Sequence, residues 1–392
     1  MTTTGRTLAF LAIVTLMLAA CRPSAPAAGA PPGNVASSAP AAGPAAVSGT
    51  AGGGAAPSTA ASAGAASGTA PSDAAAAAPA PITPPVALKI GHAGTFGGAP
   101  LFLAKQRGYF TAEGLEIEPE AFKVSADVIP AIATGDVAAA SIAINPALFN
   151  AAARGIALML VGDAGSTQPG RSNTSLVIRK DVYDSGRYTR LEDLPGLTIG
   201  VPGPYTVVHY MLAKIAEQRG FPLDDVKITP VPMADSLLAL KNGSLDGYYD
   251  VEPSPTIAER ESIGVRVLSS DELFPGFQTS VVIYGPSMAA QPEVARRFMV
   301  AYVRGVRDYL AAFFEGKGTD RAVEEVRREG IPVPREIIPG GIDPDARLSV
   351  SSVESILDWW QQVGALPTKP DLRAMTDGQY VDYAVARLGP YK

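Results

Sequence analysis

From residue 86 onward, short runs rich in Val, Ile and Leu alternate with longer stretches in which apolar residues recur every three or four positions. A period of two suits a half-buried strand, and a period near 3.6 suits a helix with one buried face. Leu88-Lys89-Ile90 opens a first strand, and a glycine-containing loop follows it. Pro100 then suits the first turn of a helix, where its missing N–H is not needed, and Gly108 suits the cap at the other end. A helix over residues 206–219 is expected to end at Gly220 in the same way. Strands that alternate with helices predict an α/β fold, with a mainly parallel sheet covered on both faces. Pro130 is the awkward position. It falls inside the helix expected over residues 126–134, where it removes a backbone hydrogen bond. Beyond Gln291 the pattern is helical, with apolar faces at Val294-Phe298-Tyr302 and Ile356-Trp359-Trp360.

The same pattern occurs twice. Leu88-Lys89-Ile90-Gly91-His92 matches Leu197-Thr198-Ile199-Gly200-Val201 at an offset of 109, and Thr134-Gly135-Asp136-Val137 matches Asn242-Gly243-Ser244-Leu245 at 108. Asn145-Pro146 matches Glu252-Pro253 at 107. Repeated spacing implies repeated architecture. Two lobes are therefore expected: residues 86–182 in the first, 183–278 in the second, and 279–392 returning to complete the first. Their strand ends would line a cleft, the usual ligand position in open α/β sheets. Two chain crossings, after Thr174 to Arg179 and through Thr279 to Tyr284, would form the hinge.

The chain before residue 86 changes the picture. Arg6 precedes an apolar run over residues 8–20 that ends in small residues, which is the anatomy of a secretory signal over residues 1–21. Leu18-Ala19-Ala20-Cys21 is similar to the bacterial lipobox, which implies an acylated Cys21 and a membrane anchor. Residues 22–85 are nearly all Ala, Pro, Gly, Ser and Thr, too poor in large apolar groups to offset their ordering entropy. They read as a disordered tether. Cys21 is the only cysteine and there are only two histidines, so neither a disulfide nor a thiolate cofactor site is expected, and no metal or cofactor is assigned. A net charge of -6 leaves no basic face for nucleic acid.

Residues 86–392 resemble the nitrate, sulfonate and taurine type of periplasmic substrate-binding proteins of ABC importers, a group that includes binders of thiamine-pyrimidine precursors. The resemblance rests on Ala104-Lys105-Gln106-Arg107-Gly108-Tyr109-Phe110, Glu113-Gly114-Leu115 and Ala133-Thr134-Gly135-Asp136-Val137-Ala138. In the second copy it rests on residues 191–201 and on residues 246–253. It implies a two-lobed type II binding-protein fold, a small-molecule solute, a membrane permease with a separate ATPase, no catalytic residues, and a monomer. Where that family often carries Trp-Glu-Pro, this chain has Val251-Glu252-Pro253. The alternatives are an enzyme on the same fold and a ligand-sensing subunit.

Ligand contacts are expected in the loops that the repeat brings face to face. Phe96 and Tyr205 are a stacking pair or a pair of core caps. Thr95, Gly97 and Thr206 lie at helix starts suited to an oxyanion, whereas Asp250 and Glu252 bring negative charge to the same end. Asn145 orients a polar ligand or caps the turn before Pro146, and Glu252 faces the cleft or pairs at the hinge. Ser166 and Asn173 belong to a polar loop beside the crossing, with Arg171 the obvious nearby cation. His92 and His209 stand 117 residues apart and are not repeat equivalents, so structural roles are expected of both.

Overall fold

The computed structural model describes residues 79–122, 124–333 and 337–392, all within one compact unit. The signal segment, Cys21 and residues 22–78 of the expected tether lie outside the described residues. Its last seven residues do not behave as a tether. Arg297 donates to the Ala80 carbonyl at 2.8 Å, and the Ile82 N–H meets the Glu113 carbonyl at 3.3 Å, so residues 79–85 are docked on the first lobe.

The first repeat runs β1 (Val86–His92), α1 (Ala99–Gln106), α2 (Tyr109–Ala112), β2 (Leu115–Ala121), α3 (Val128–Thr134), β3 (Ala139–Ala143), α4 (Pro146–Ala153) and β4 (Met159–Thr167). Pro130 is accommodated because residues 125–127 form a separate 3-10 turn. That makes Pro130 the third residue of α3, within the first turn, where no intrahelical N–H bond is lost. The chain continues through β5 (Thr174–Arg179), α5 (Lys180–Asp184), β6 (Thr198–Val201), α6 (Val207–Arg219), β7 (Lys227–Pro230), α7 (Met233–Lys241), β8 (Gly247–Val251), α8 (Ser254–Arg260) and β9 (Gly264–Ser269). It ends with β10 (Phe277–Tyr284), α9 (Pro286–Ala289), α10 (Pro292–Phe313), α11 (Thr319–Arg328), α12 (Val350–Gln362) and α13 (Gln379–Leu388).

These strands form two five-stranded mixed sheets, ordered β2-β1-β3-β10-β4 and β7-β6-β8-β5-β9. The two orders are the same once β1 is matched with β6, β2 with β7, and β3 with β8. Register repeats too: Lys89 faces Glu118 as Thr198 faces Lys227, and Ile90 faces Ala139 as Ile199 faces Gly247. In each sheet the fourth position is an antiparallel strand supplied from across the hinge, β10 in the first and β5 in the second. The fold class expected from the pattern is the one observed. The boundary differs, because β5 hydrogen-bonds to β8 and β9 and so belongs wholly to the second lobe. The crossing therefore precedes Thr174. An apolar strand reads the same whichever sheet pairs with it, so hydrophobicity alone did not place it.

The lobes share more than two crossings. One apolar core contains Ile142, Leu148 and Phe149 of the first lobe, Val207, Tyr210 and Tyr249 of the second, and Val353, Ile356, Trp359 and Trp360 of α12. On the apolar face expected at Ile356-Trp359-Trp360, Trp360 touches both sides: its ring lies 5.7 Å from Phe149, and its indole N–H donates to the Tyr205 carbonyl at 2.8 Å.

Candidate functional site

In both sheets the parallel strands point their C-terminal ends toward the crossings, which puts the loops after β1, β3, β6 and β8 at the inter-lobe end of each lobe. The crossings are hydrogen-bonded together. Thr167 Oγ1 accepts from the Phe277 N–H at 3.0 Å, and Thr174 Oγ1 donates to Ser270 Oγ at 2.7 Å, with the Tyr249 hydroxyl 2.8 Å from the same Ser270 oxygen. A third segment lies over them. Ser166 N–H donates to the Gly341 carbonyl at 2.9 Å and Gly341 N–H to the Arg171 carbonyl at 2.8 Å. A Cβ on Gly341 would stand 2.5 Å from the Arg171 oxygen, so only glycine permits this approach.

Asp163 holds the hinge from beneath. It is fully buried, and its carboxylate accepts from Gly165 N (2.6 Å), Ser166 Oγ (2.8 Å), Gln278 Nε2 (2.6 Å) and Asp343 N (2.7 Å). Burial pushes its pKa up to about 6, and the four donors oppose that rise. Gln278 then accepts from Ser349 N at 2.9 Å, carrying the network to the start of α12.

The expected contact residues divide into two groups. Phe96 is a core residue, 8% exposed, with its ring 5.0 Å from Phe313 and 5.9 Å from Tyr309. Asn145 caps α4: its Oδ1 accepts from Leu148 N at 3.1 Å and its amide donates to the Ala143 carbonyl at 3.0 Å. Ser166 is spent on Asp163. Glu252 is buried and paired with Arg266 at 2.8 Å, and it also accepts from Thr256 N at 3.2 Å. Burial works against the Arg266 charge, but Glu252 and Glu259 more than offset it and hold that guanidinium above its ordinary value. Asp250 is 1% exposed. Its Oδ1 accepts from Val251 N at 2.7 Å, while Oδ2 has no hydrogen-bond partner, although the Ser236 hydroxyl lies close enough to ease the charge. Burial pushes Asp250 up to about 6, and the Glu252 charge adds to the rise.

Thr95 and Gly97 are exposed, while Asn173, Tyr205 and Thr206 are partly so. These five remain able to meet a ligand. Thr206 donates to the Gly203 carbonyl at 3.1 Å rather than capping α6. Arg171, the nearby cation, lies over the Phe314 ring at 4.5 Å. Exposed Val124 sits before α3 at the same end of the first lobe.

Two surface cavities of about 400 and 360 Å³ are lined by residues of the second lobe, the first by Tyr188, Arg190, Arg219 and neighbours, the second by Arg179, Lys241 and neighbours. Neither lies at the strand-end loops. The sequence reading missed Asp163, Gln278, Gly341 and the role of α12. The Gly340-Gly341 pair and a lone Asp within the apolar strand over residues 159–167 were the available signals.

Comparison with known proteins agrees with this architecture. The chain is 24% identical over 230 residues to the riboflavin-binding protein RibY of Chloroflexus aurantiacus, covering 58% of this chain and 62% of that one. Among solved structures, it resembles a sulfonate ABC transporter's periplasmic sulfonate-binding protein, SsuA from Methylobacillus flagellatus KT. There the TM-score is 0.61 and the identity 19%, over 78% of this chain and 96% of that one. It also resembles the desulfurization enzyme DSZB, with a TM-score of 0.53 and 15% identity, over 77% of this chain and 99% of that one. Identities this low speak to the fold alone. The family model for NMT1/THI5-like proteins matches residues 96–312, more than half of the 392 residues. The chain belongs to the NMT1/THI5-like family.

Proposed function

We propose that this protein is the extracytoplasmic solute-binding subunit of an importer, closing its two lobes on a small organic solute and passing it to a membrane permease driven by a separate ATPase. The observation that carries this reading is the duplicated sheet, which sets two equivalent groups of strand-end loops at a hinged junction. Such a junction suits reversible capture. No catalytic step is assigned: the two histidines and the Asp163 carboxylate are engaged in structural hydrogen bonds.

The loops favour a flat or weakly charged solute over a small oxyanion. Glu252 is neutralised by Arg266, Arg171 is held over Phe314, and Tyr205 offers a partly exposed aromatic face. The name of RibY supports the same class. Thr95, Gly97, Asn173, Tyr205 and Thr206 are the proposed contacts. Thermal unfolding in the presence of riboflavin, a free aminopyrimidine, taurine or nitrate tests this. A heterocycle at a hundred times its Kd stabilises by about 2.7 kcal/mol, a shift of several degrees. Stabilisation by taurine or nitrate alone would sink the preference for a flat solute, and no shift with any probe counts against capture of this class.

The membrane attachment belongs to the same proposal. Among the described residues no helix is long and apolar enough to cross a membrane. Cys21, at the end of the apolar run, is the proposed acylation site. Cys21→Ala is expected to move the protein from the detergent phase to the aqueous phase; continued sedimentation of this variant with membranes in high salt would refute the anchor.

A further inference from the structure

The chain contains two histidines, and each holds one of the two repeat-equivalent loops that follow the first strand of a lobe. His92 ends β1, and its Nδ1 accepts the Gly94 N–H at 3.0 Å. His209 lies in the first turn of α6, and its Nδ1 accepts the Tyr205 N–H at 3.1 Å. A ring nitrogen that accepts carries no proton, so both rings are neutral with hydrogen on Nε2. The histidines are not repeat equivalents. One reaches its loop from the strand before it and the other from the helix after it, so the shared contact does not follow from duplication of the sequence.

What each ring holds is a turn with positive φ. Gly94, at φ 68°, adopts it freely. Tyr205, at φ 60°, does not; the left-handed region costs a side-chain-bearing residue about 1–2 kcal/mol. Tyr205 is fixed from both sides, its N–H by His209 and its carbonyl by the Trp360 indole. Strain held in this way at a loop is a sign of positioning.

The surroundings favour the neutral rings. His92 packs on the Phe102 edge at 4.9 Å, and burial lowers its pKa. The opposing charge is Glu329, which is itself paired with Lys105 at 2.8 Å. His209 stacks on Tyr205 at 6.1 Å, meets the Trp359 edge at 5.3 Å, and is lowered by burial. The charged groups of the helices packed around it pair elsewhere: Glu354 and Asp358 of α12 with Lys369, and Lys214 of α6 with Glu217.

We infer that His92 and His209 are matched positioning residues of the cleft: each neutral imidazole fixes the loop its lobe offers to the solute, and protonation releases both. An imidazolium Nδ1–H would point a donor at a donor, so the contact cannot survive it. This rests on the solute-binding reading for its consequence, loss of binding in acid, but not for the contact itself.

Three measurements test it. In protein carrying nitrogen-15 histidine, both rings should appear as the Nε2–H tautomer at pH 7.5 and gain a proton only below 6.5. Either ring as the Nδ1–H tautomer overturns the inference. Both tryptophans lie on α12, with Trp359 against His209, so a charged imidazole there should quench emission as the pH falls from 7 to 5. His209→Asn, whose amide oxygen can replace Nδ1 but does not titrate, should keep the loop and flatten that curve. A His209→Asn curve that follows wild type also overturns it. Riboflavin affinity is expected to fall at least tenfold over the same interval in wild type and less in His92→Asn and His209→Asn. Failure of riboflavin to bind at any pH would count against the solute reading, while the two ligand-free measurements still decide the role of the histidines.

Discussion

Asp163→Ala is expected to lower the melting temperature by about 6–20 °C. The substitution leaves four donors from three segments, Gly165 and Ser166 near the end of β4, Gln278 on β10 and Asp343 in the C-terminal segment, without their acceptor. Each buried unsatisfied group costs about 1–3 kcal/mol, and partial rearrangement brings the whole to roughly 3–5 kcal/mol. A domain of this size loses about 2–4 °C per kcal/mol. The pH dependence has a definite sign. The folded pKa of about 6 lies above the ordinary 3.8, so the folded state holds this proton more tightly than the unfolded chain. Wild type therefore loses stability through this group as the pH rises from about 4 to 6, and the variant lacks that slope. The penalty of Asp163→Ala should shrink across that interval and level off above about pH 7. Thermal unfolding followed by circular dichroism at three pH values measures it, and a shift under about 2 °C would show that the carboxylate does not organise the hinge.

Trp360→Ala should be of similar size and act on both lobes at once. The side chain is fully buried between Phe149 of the first lobe and the Tyr205 loop of the second. Truncating a buried Trp costs about 3–5 kcal/mol in transfer and cavity terms. Trp360→Phe separates packing from the hydrogen bond: it keeps an aromatic ring against Phe149 but leaves the Tyr205 carbonyl without its donor, for about 1 kcal/mol. Urea unfolding gives both values. If Trp360→Ala costs less than Trp360→Phe, α12 is not wedged between the lobes as described.

Together these effects describe a hinge with three supporting segments rather than two. The segment through Gly341 lies over the two β-crossings, and Trp360 of α12 holds the Tyr205 loop, so the junction has a third set of contacts besides the crossings.

Much of this was legible in the chain. Period-two and period-3.6 patterning gave the elements, and the offset of 109 between residues 88–92 and 197–201 implied that one sheet order would occur twice, because identical local patterns with identical spacing pack in the same way. The glycines at 108 and 220 could be placed as left-handed caps from position alone, since only their missing Cβ makes that conformation free. Tertiary structure decided the rest, because it depends on which partner a group meets. β5 is apolar enough for either lobe, and only its hydrogen bonds to β8 and β9 assign it to the second. Phe96 has the character of a ligand-stacking residue and the contacts of a core residue, because Phe313, more than two hundred positions away, closes over it. Glu252 is charged in sequence and neutralised in space by Arg266. The joint task of His92 and His209 is hidden from any repeat search, because it is performed from different offsets and becomes visible only when each Nδ1 is found facing the backbone N–H of its own loop.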